Sequence, residues 1–163
     1  MVKLKLCLAT LAFLGLSMGM NGQTIIASGS AGDSATYVLT DDSTLTISGS
    51  GKIKDSLCND NTTIQLLMTK KLVINSGITS IGKDAFSNFK TYIGMYGMNN
   101  LVSVSIPSAL TKIEERAFYF TIIDNFNASN VDTIEFAAFS SCYNLTSLNF
   151  NNLEYIGDYA FNR

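Results

Sequence analysis

The stretch that decides the fold is Leu101–Phe118, LVSVSIPSALTKIEERAF, which closes on Ile113, three further residues, Ala117 and Phe118. The same phrase, Ile-x-x-x-Ala-Phe, recurs at Ile81/Ala85/Phe86, Ile134/Ala138/Phe139 and Ile156/Ala160/Phe161. Its phenylalanines fall 32, 21 and 22 residues apart, so the first interval reads as a 22-residue repeat carrying an insertion of about ten. Such a period with unchanging internal spacing is the signature of a repeat solenoid.

Working outward, an apolar residue stands three positions ahead of each phrase: Ile78, Leu110, Val131 and Leu153. Before it lies Leu72–Ile74, Leu101–Ile106, Ile123–Ala128 or Leu145–Phe150, and the last three carry apolar residues at relative positions 1, 4 and 6. Positions 4 and 6 give the period of two of a strand with one buried face. Each repeat therefore reads as one strand, a turn, and a short helical or irregular turn ending in Ala-Phe. A unit this small cannot bury its own apolar face and must stack on a neighbour, with Ile, Ala and Phe as internal ladders. The alanine is expected because a larger side chain would push adjacent coils apart.

LVSVSIPSALTKIEERAF and LTSLNFNNLEYIGDYAF (Leu145–Phe161) resemble the BspA-like (type 5) leucine-rich repeats of bacterial surface proteins. GSAGDSATYVLTDDSTLTISGSGKIKD (Gly29–Asp55) is similar to the β-rich segment that often precedes them. The resemblance implies a leucine-rich-repeat solenoid from a bacterium, secreted or held at the cell surface, adhering to extracellular or host proteins of matrix or plasma type. A repeat scaffold presents many different surfaces, so the ligand is not implied.

The expected organisation has three parts. Residues 1–22 read as a secretory signal: Lys3 and Lys5, the apolar run Leu6–Leu16, and small residues for cleavage after Gly19 or before Gln23. Residues 23–68 form an N-terminal β-rich cap and connector, with a hairpin from Thr36–Thr40 to Thr44–Ser48 across Asp41–Asp42–Ser43. Residues 69–163 hold four repeats with no evident closing repeat, so self-association through the open last coil is expected. No membrane span is expected in the mature chain.

The chain of 163 residues carries no His, which removes Ser-His-Asp and Cys-His nucleophile activation and His-based metal sites together. Losing Lys3 and Lys5 leaves 9 basic against 13 acidic residues, a net −4, and no basic cluster offers a nucleic-acid footprint. Asp41/Asp42 and Glu114/Glu115 read as solvated surface, not as a convergent glycosidase pair. Asp33, Asp41, Asp42 and Asp55 do not match calcium-loop spacing, and Gly49-Ser50-Gly51 lacks a P-loop lysine. No catalytic residue, metal site or cofactor is expected. Cys142, three residues after Phe139, reads as a small buried residue in preference to a bridge with Cys58.

What remains is surface. Two outward rows are expected on the strands, Lys71/Ser103/Asn125/Ser147 and Val73/Ser105/Asn127/Asn149, small, mostly uncharged and unobstructed. They suit an extended protein partner or serve only solubility. The insertion SNFKTYIGMYGMNN places Tyr92, Ile93, Met95, Tyr96 and Met98 around Gly94 and Gly97, a composition found at protein interfaces. Folding back to pad the convex side of the first coil is the competing reading of the same residues, and the slightly favoured one. The leading expectation is a non-enzymatic, adhesion-type protein-binding repeat protein, with Tyr92, Met95, Tyr96, Ser103, Ser105, Asn125, Asn127, Ser147 and Asn149 as candidate contacts. A carbohydrate-contacting module and a truncated scaffold without activity are the alternatives.

Overall fold

The computed structural model describes residues 22–58, 64–91 and 94–163, and for 64, 89–91 and 94–97 it describes the backbone alone. The expected leader lies outside the described residues except for Gly22. The strands of the N-terminal half are β1 (Ile25–Ser30), β2 (Ala35–Thr40), β3 (Thr44–Gly49), β4 (Gly51–Ile53), β5 (Lys71–Ile74), β6 (Ile78–Ile81), β7 (Asn88–Thr91) and β8 (Gly94–Gly97). Those of the C-terminal half are β9 (Ser103–Ser105), β10 (Lys112–Ile113), β11 (Asn125–Asn127), β12 (Thr133–Ile134), β13 (Ser147–Asn149) and β14 (Tyr155–Ile156). Among the described residues, helix is confined to one 3-10 segment, Ile64–Met68.

Each repeat uses two strands where the periodicity predicts one. The first strands form a sheet ordered β1-β2-β3-β5-β9, followed by the parallel pair β11-β13. The second strands, too short to show alternation, carry the Ile of each phrase in a sheet ordered β14-β12-β10-β6-β4. Their pairing is parallel and in register: Ile53 opposite Ile81, Ile81 opposite Ile113, Ile113 opposite Ile134, Ile134 opposite Ile156. At the corner between the two sheets, Gly49 has φ +111° and a Cβ there would meet Ser34 O at 2.1 Å. The Gly49-Ser50-Gly51 cluster is thus a corner in the chain.

The fixed three-residue gap in the phrase has a local cause. The amide of the phrase's alanine donates back to the residue after its isoleucine, Ala117 to Glu114 at 3.2 Å and Ala138 to Glu135 at 3.3 Å. The residue before each alanine has positive φ: Asp84 55°, Arg116 52°, Ala137 53° and Tyr159 57°. These are the signs of a type II turn, which asks for glycine at that place and here holds ordinary L residues. Stacking overrides the local preference, because the same backbone amides make the rungs: Arg116 N donates to Phe136 O and Phe118 N to Ala138 O.

Those rungs align the phenylalanines. Phe86, Phe118, Phe139 and Phe161 form one column, with successive ring centroids 5.5, 5.3 and 5.4 Å apart and planes within 20° of parallel. Phe126 from β11 closes on the column edge-on, 5.4 Å from Phe118 and 4.8 Å from Phe139. Ile81, Ile113, Ile134, Ala85, Ala117 and Ala138 are fully buried beside it. The last coil is the exception: Leu148 and Ile156, expected inside, are 42 % and 54 % exposed, since no coil stacks beyond them within the 163 residues.

The register reaches further back than the four phrases. Ser56 has φ 53°, Ser56 N donates to Lys83 O, and Cys58 N donates to Ala85 O, as Phe86 N does to Ala117 O. Ile53-x-x-x-Leu57-Cys58 is therefore a degenerate copy of the phrase, and buried Cys58 takes the phenylalanine's place in the register. Cys142 is also buried, and its thiol donates to Phe118 O at 3.1 Å, in keeping with a small core residue. The strands of 25–49 pair as expected for a hairpin, β2 antiparallel to β3, and β3 then runs parallel to β5 with Leu45 opposite Leu72.

If the alanine sets the spacing of coils, enlarging it must cost stability. Ala117→Leu is expected to destabilise the chain by about 1–3 kcal/mol through overpacking, measured by denaturant unfolding. An unchanged midpoint would show that the column has room to spare.

Candidate functional site

The strand face carries the expected rows. Lys71 lies opposite Ser103 and Val73 opposite Ser105; Asn125 lies opposite Ser147 and Asn127 opposite Asn149. No strand pairing joins β9 to β11, but the rung that precedes each strand is unbroken: Val102 N to Lys70 O at 3.0 Å, Asp124 N to Val102 O at 3.4 Å, Thr146 N to Asp124 O at 2.9 Å. Ser103, Ser105, Asn125, Asn127, Ser147 and Asn149 are all exposed. The period of two puts them there, because their neighbours Leu72 and Phe126 turn inward.

The insertion is a hairpin, β7 antiparallel to β8, with Phe89 opposite Tyr96 and Lys90 opposite Met95. Tyr92 and Ile93 lie outside the described residues; Met95 and Tyr96 are placed on β8 by their backbone. Met98, grouped above with the interface-like residues, is instead fully buried.

The turn edge differs most from the sequence expectation. Glu114 and Glu115 are ion-paired between coils, with side chains only 15 % and 29 % exposed, and are not simply solvated. Lys52 reaches Glu114 at 2.6 Å, Lys83 reaches Glu115 at 2.8 Å and Lys112 reaches Glu135 at 2.7 Å. Arg116 donates twice to Asp84 on the preceding coil, at 2.8 and 2.9 Å. The hydrogen bond from Lys83 holds the Glu115 carboxyl below its ordinary value, and that from Lys52 does the same for Asp55. The bond to Glu135 raises the Lys112 ammonium, and the bond to Asp84 raises the Arg116 guanidinium.

Further along the same edge, aromatic side chains replace the charges. The position that holds Lys83 and Glu115 becomes Phe136, and the position that holds Asp84 and Arg116 becomes Ala137 and then Tyr159. Phe136 and Tyr159 meet edge to face with centroids 5.8 Å apart, and they are 45 % and 63 % exposed. Small Ala137 between the longer Arg116 and Tyr159 leaves a groove of about 500 Å³, completed by Tyr119, Ser140 and Asn162. The signal for this groove was present in the repeat alignment: one variable position inside the phrase is aromatic in each of its last two copies, Phe136 and Tyr159.

The model of the family described as "BspA type Leucine rich repeat region (6 copies)" matches residues 60–163. The chain belongs to this family. The BspA-type repeats account for the paired parallel sheets and the phenylalanine column. No curated protein matches the chain. A leucine-rich repeat protein from Eubacterium ventriosum aligns over 77 % of this chain and 45 % of its own, at 22 % identity and a TM-score of 0.36. A leucine rich cell surface protein from Faecalibacterium prausnitzii aligns over 77 % of this chain and 55 % of its own, at 19 % identity and a TM-score of 0.36. The T. pallidum leucine rich repeat protein aligns over 74 % of this chain and 81 % of its own, at 14 % identity and a TM-score of 0.39. This BspA-type chain spans about half the length of the first two.

The ion pairs of the BspA-type turn edge give stability a pH window. Glu115 and Asp55 titrate below their ordinary values of 4.5 and 3.8 when folded, so their contribution is complete above those values and is lost as pH falls through the lowered ones. Lys112, raised above 10.5, contributes below that value and loses its contribution as pH rises beyond it. Each pair is partly exposed and contributes at most about 1 kcal/mol. Denaturant unfolding from pH 7 to pH 3 is expected to show a smaller acid loss in Glu115→Gln than in the parent chain; equal slopes would contradict the assignment.

Proposed function

We propose that this BspA-type chain is a secreted or cell-surface, non-enzymatic binding protein whose principal contact is the groove of Arg116, Tyr119, Phe136 and Tyr159. The observation that supports it most strongly is the pair Phe136 and Tyr159, exposed together beside an arginine held in place by Asp84. Tyr, Phe and Arg are enriched at protein interfaces, and contiguous exposed apolar surface marks interaction sites. The partner class is extracellular protein of matrix or plasma type, by analogy with the family. The neutral rows Ser103/Asn125/Ser147 and Ser105/Asn127/Asn149, together with Tyr92, Met95 and Tyr96 of the insertion, extend the contact surface in this reading.

The architecture behind it is a solenoid of four repeats over 69–163, with 23–68 as its N-terminal cap and 1–22 as the secretory signal. The parallel pairing of β3 with β5 and the degenerate phrase Ile53-Leu57-Cys58 support the cap, since they present the first repeat with a strand edge already in register. No described helix is long and apolar enough to cross a membrane. Exposure of Leu148, Tyr155 and Ile156 on the last coil supports self-association of the 163-residue chain through that end.

Surface plasmon resonance against purified matrix and plasma proteins tests this reading. The double variant Phe136→Ala/Tyr159→Ala is expected to weaken the strongest interaction at least tenfold, about 1.4 kcal/mol, with its unfolding midpoint close to the parent's. Binding that persists in the double variant but is lost on charging Ser105 and Asn127 would move the contact to the strand face. No binding across the panel would remove the adhesion reading.

A further inference from the structure

The longest open strand edge among the described residues belongs to β1. It closes one end of the sheet β1-β2-β3-β5-β9 and pairs only with β2, so the outward N–H and C=O groups of a six-residue strand face no neighbouring strand. The other strands that end a sheet hold two to four residues each.

Folded chains ordinarily protect such an edge with a lysine, a proline, an inward charge or a bulge. From Gly22 to Gly32, GQTIIASGSAG, there is neither a charged residue nor a proline. The protective feature present is a bulge between Ile25 and Ala27; beyond it the register with β2 is regular, from Ala27 opposite Leu39 to Ser30 opposite Thr36. By contrast β4, at the corresponding end of the other sheet, carries Lys52. Exposure alternates along β1, with Ile26, Ser28 and Ser30 in water and Ile25, Ala27 and Gly29 half-buried. One face is therefore covered and the other free, and the edge stays open to a coplanar strand.

Backbone groups along an edge select an extended strand, and side chains then select which strand. A foreign sequence is read by pockets for alternate side chains, and Ala27, Ser28 and Gly29 are too small to form them. They admit the close approach of an equally small, uncharged strand, and every copy of the chain carries one. A two-fold axis normal to the sheet returns each face to itself, so antiparallel pairing of two copies must set one residue opposite its own counterpart. Centred on Ser28, the pairing sets Ser28 against Ser28 in water, Ile26 against Ser30 beside it, and Ala27 against Gly29 on the covered face. No like charges meet, whereas a lysine or aspartate at the centre would repel its counterpart. We propose that β1 is an isologous dimerisation edge, joining two five-stranded sheets into one of ten strands. Such pairing closes at two copies and presents every other surface of the chain twice, which favours repeated ligands through avidity. It is separate from association through the last coil, which exposes Leu148 and Ile156.

The test uses the full 163-residue chain. Directly opposed residues of antiparallel strands have Cα atoms about 4.5–5.5 Å apart, within reach of a disulfide. Thr36, also exposed but one strand inward, would stand at least about 14 Å from its counterpart, three strand spacings away. Mild oxidation is expected to link Ser28→Cys into dimers and to leave Thr36→Cys unlinked; the native Cys58 and Cys142 are buried. In sedimentation, Ser28→Lys and Ser28→Asp are each expected to lose the parent's dimer, and their mixture to recover it as a heterodimer. Unchanged unfolding midpoints establish that the variants are folded. Equal cross-linking at 28 and 36 would overturn the proposal, as would a dimer that survives either single charge, which would place association elsewhere. So would a mixture of the two charged variants that stays monomeric, or a parent chain without dimer up to about 1 mM.

Discussion

The structure depends on one constraint: adjacent coils must approach at backbone hydrogen-bonding distance, and the phenylalanine column must fit inside that spacing. Rungs such as Phe118 N to Ala138 O and Phe139 N to Ala160 O set the approach. Rings at 5.3–5.5 Å with nearly parallel planes are the arrangement this approach permits. Isoleucine, alanine and phenylalanine are thus fixed by geometry, and each residue between them is free to vary only in its side chain. Four residues with positive φ and no glycine among them, Asp84, Arg116, Ala137 and Tyr159, show how strongly stacking overrides local preference.

That division explains where function can reside. The turn edge holds the same backbone in every coil, so successive side chains there meet at fixed intervals and act as a group. In the early coils the group is a chain of ion pairs, Lys52 to Glu114, Lys83 to Glu115 and Arg116 to Asp84, which ties coils together. Towards the last two coils the same positions carry Phe136 and Tyr159, which pair with each other and face solvent. One backbone thus carries first ion pairs between coils and then exposed aromatics.

Much of this was legible in the sequence, for physical reasons. The repeated phrase, the buried face at Phe126 and the exposed rows through Asn125 and Asn127 follow from period and spacing. The second strand of each coil was not legible, because two to four residues are too few to show alternation; β10 and β12 hold two each. The degenerate copy ending in Cys58 was hidden by its leucine and cysteine, which keep the register but lose the wording. Glu114 and Glu115 look solvated along the chain and prove otherwise because their partners, Lys52 and Lys83, are 62 and 32 residues away. The groove arises where side chains of different coils fail to fill a gap, which depends on lateral alignment more than on order.

The most direct measurement is a double-mutant cycle along the column, using Phe→Leu at positions 118 and 139 and, as the distant pair, at 86 and 139. Stacked neighbours are expected to couple by about 0.5–1.5 kcal/mol in unfolding free energy. The pair separated by an intervening ring is expected to be additive within about 0.5 kcal/mol. Additive effects at Phe118 and Phe139 would contradict the central claim that each coil is held by the ring of the next.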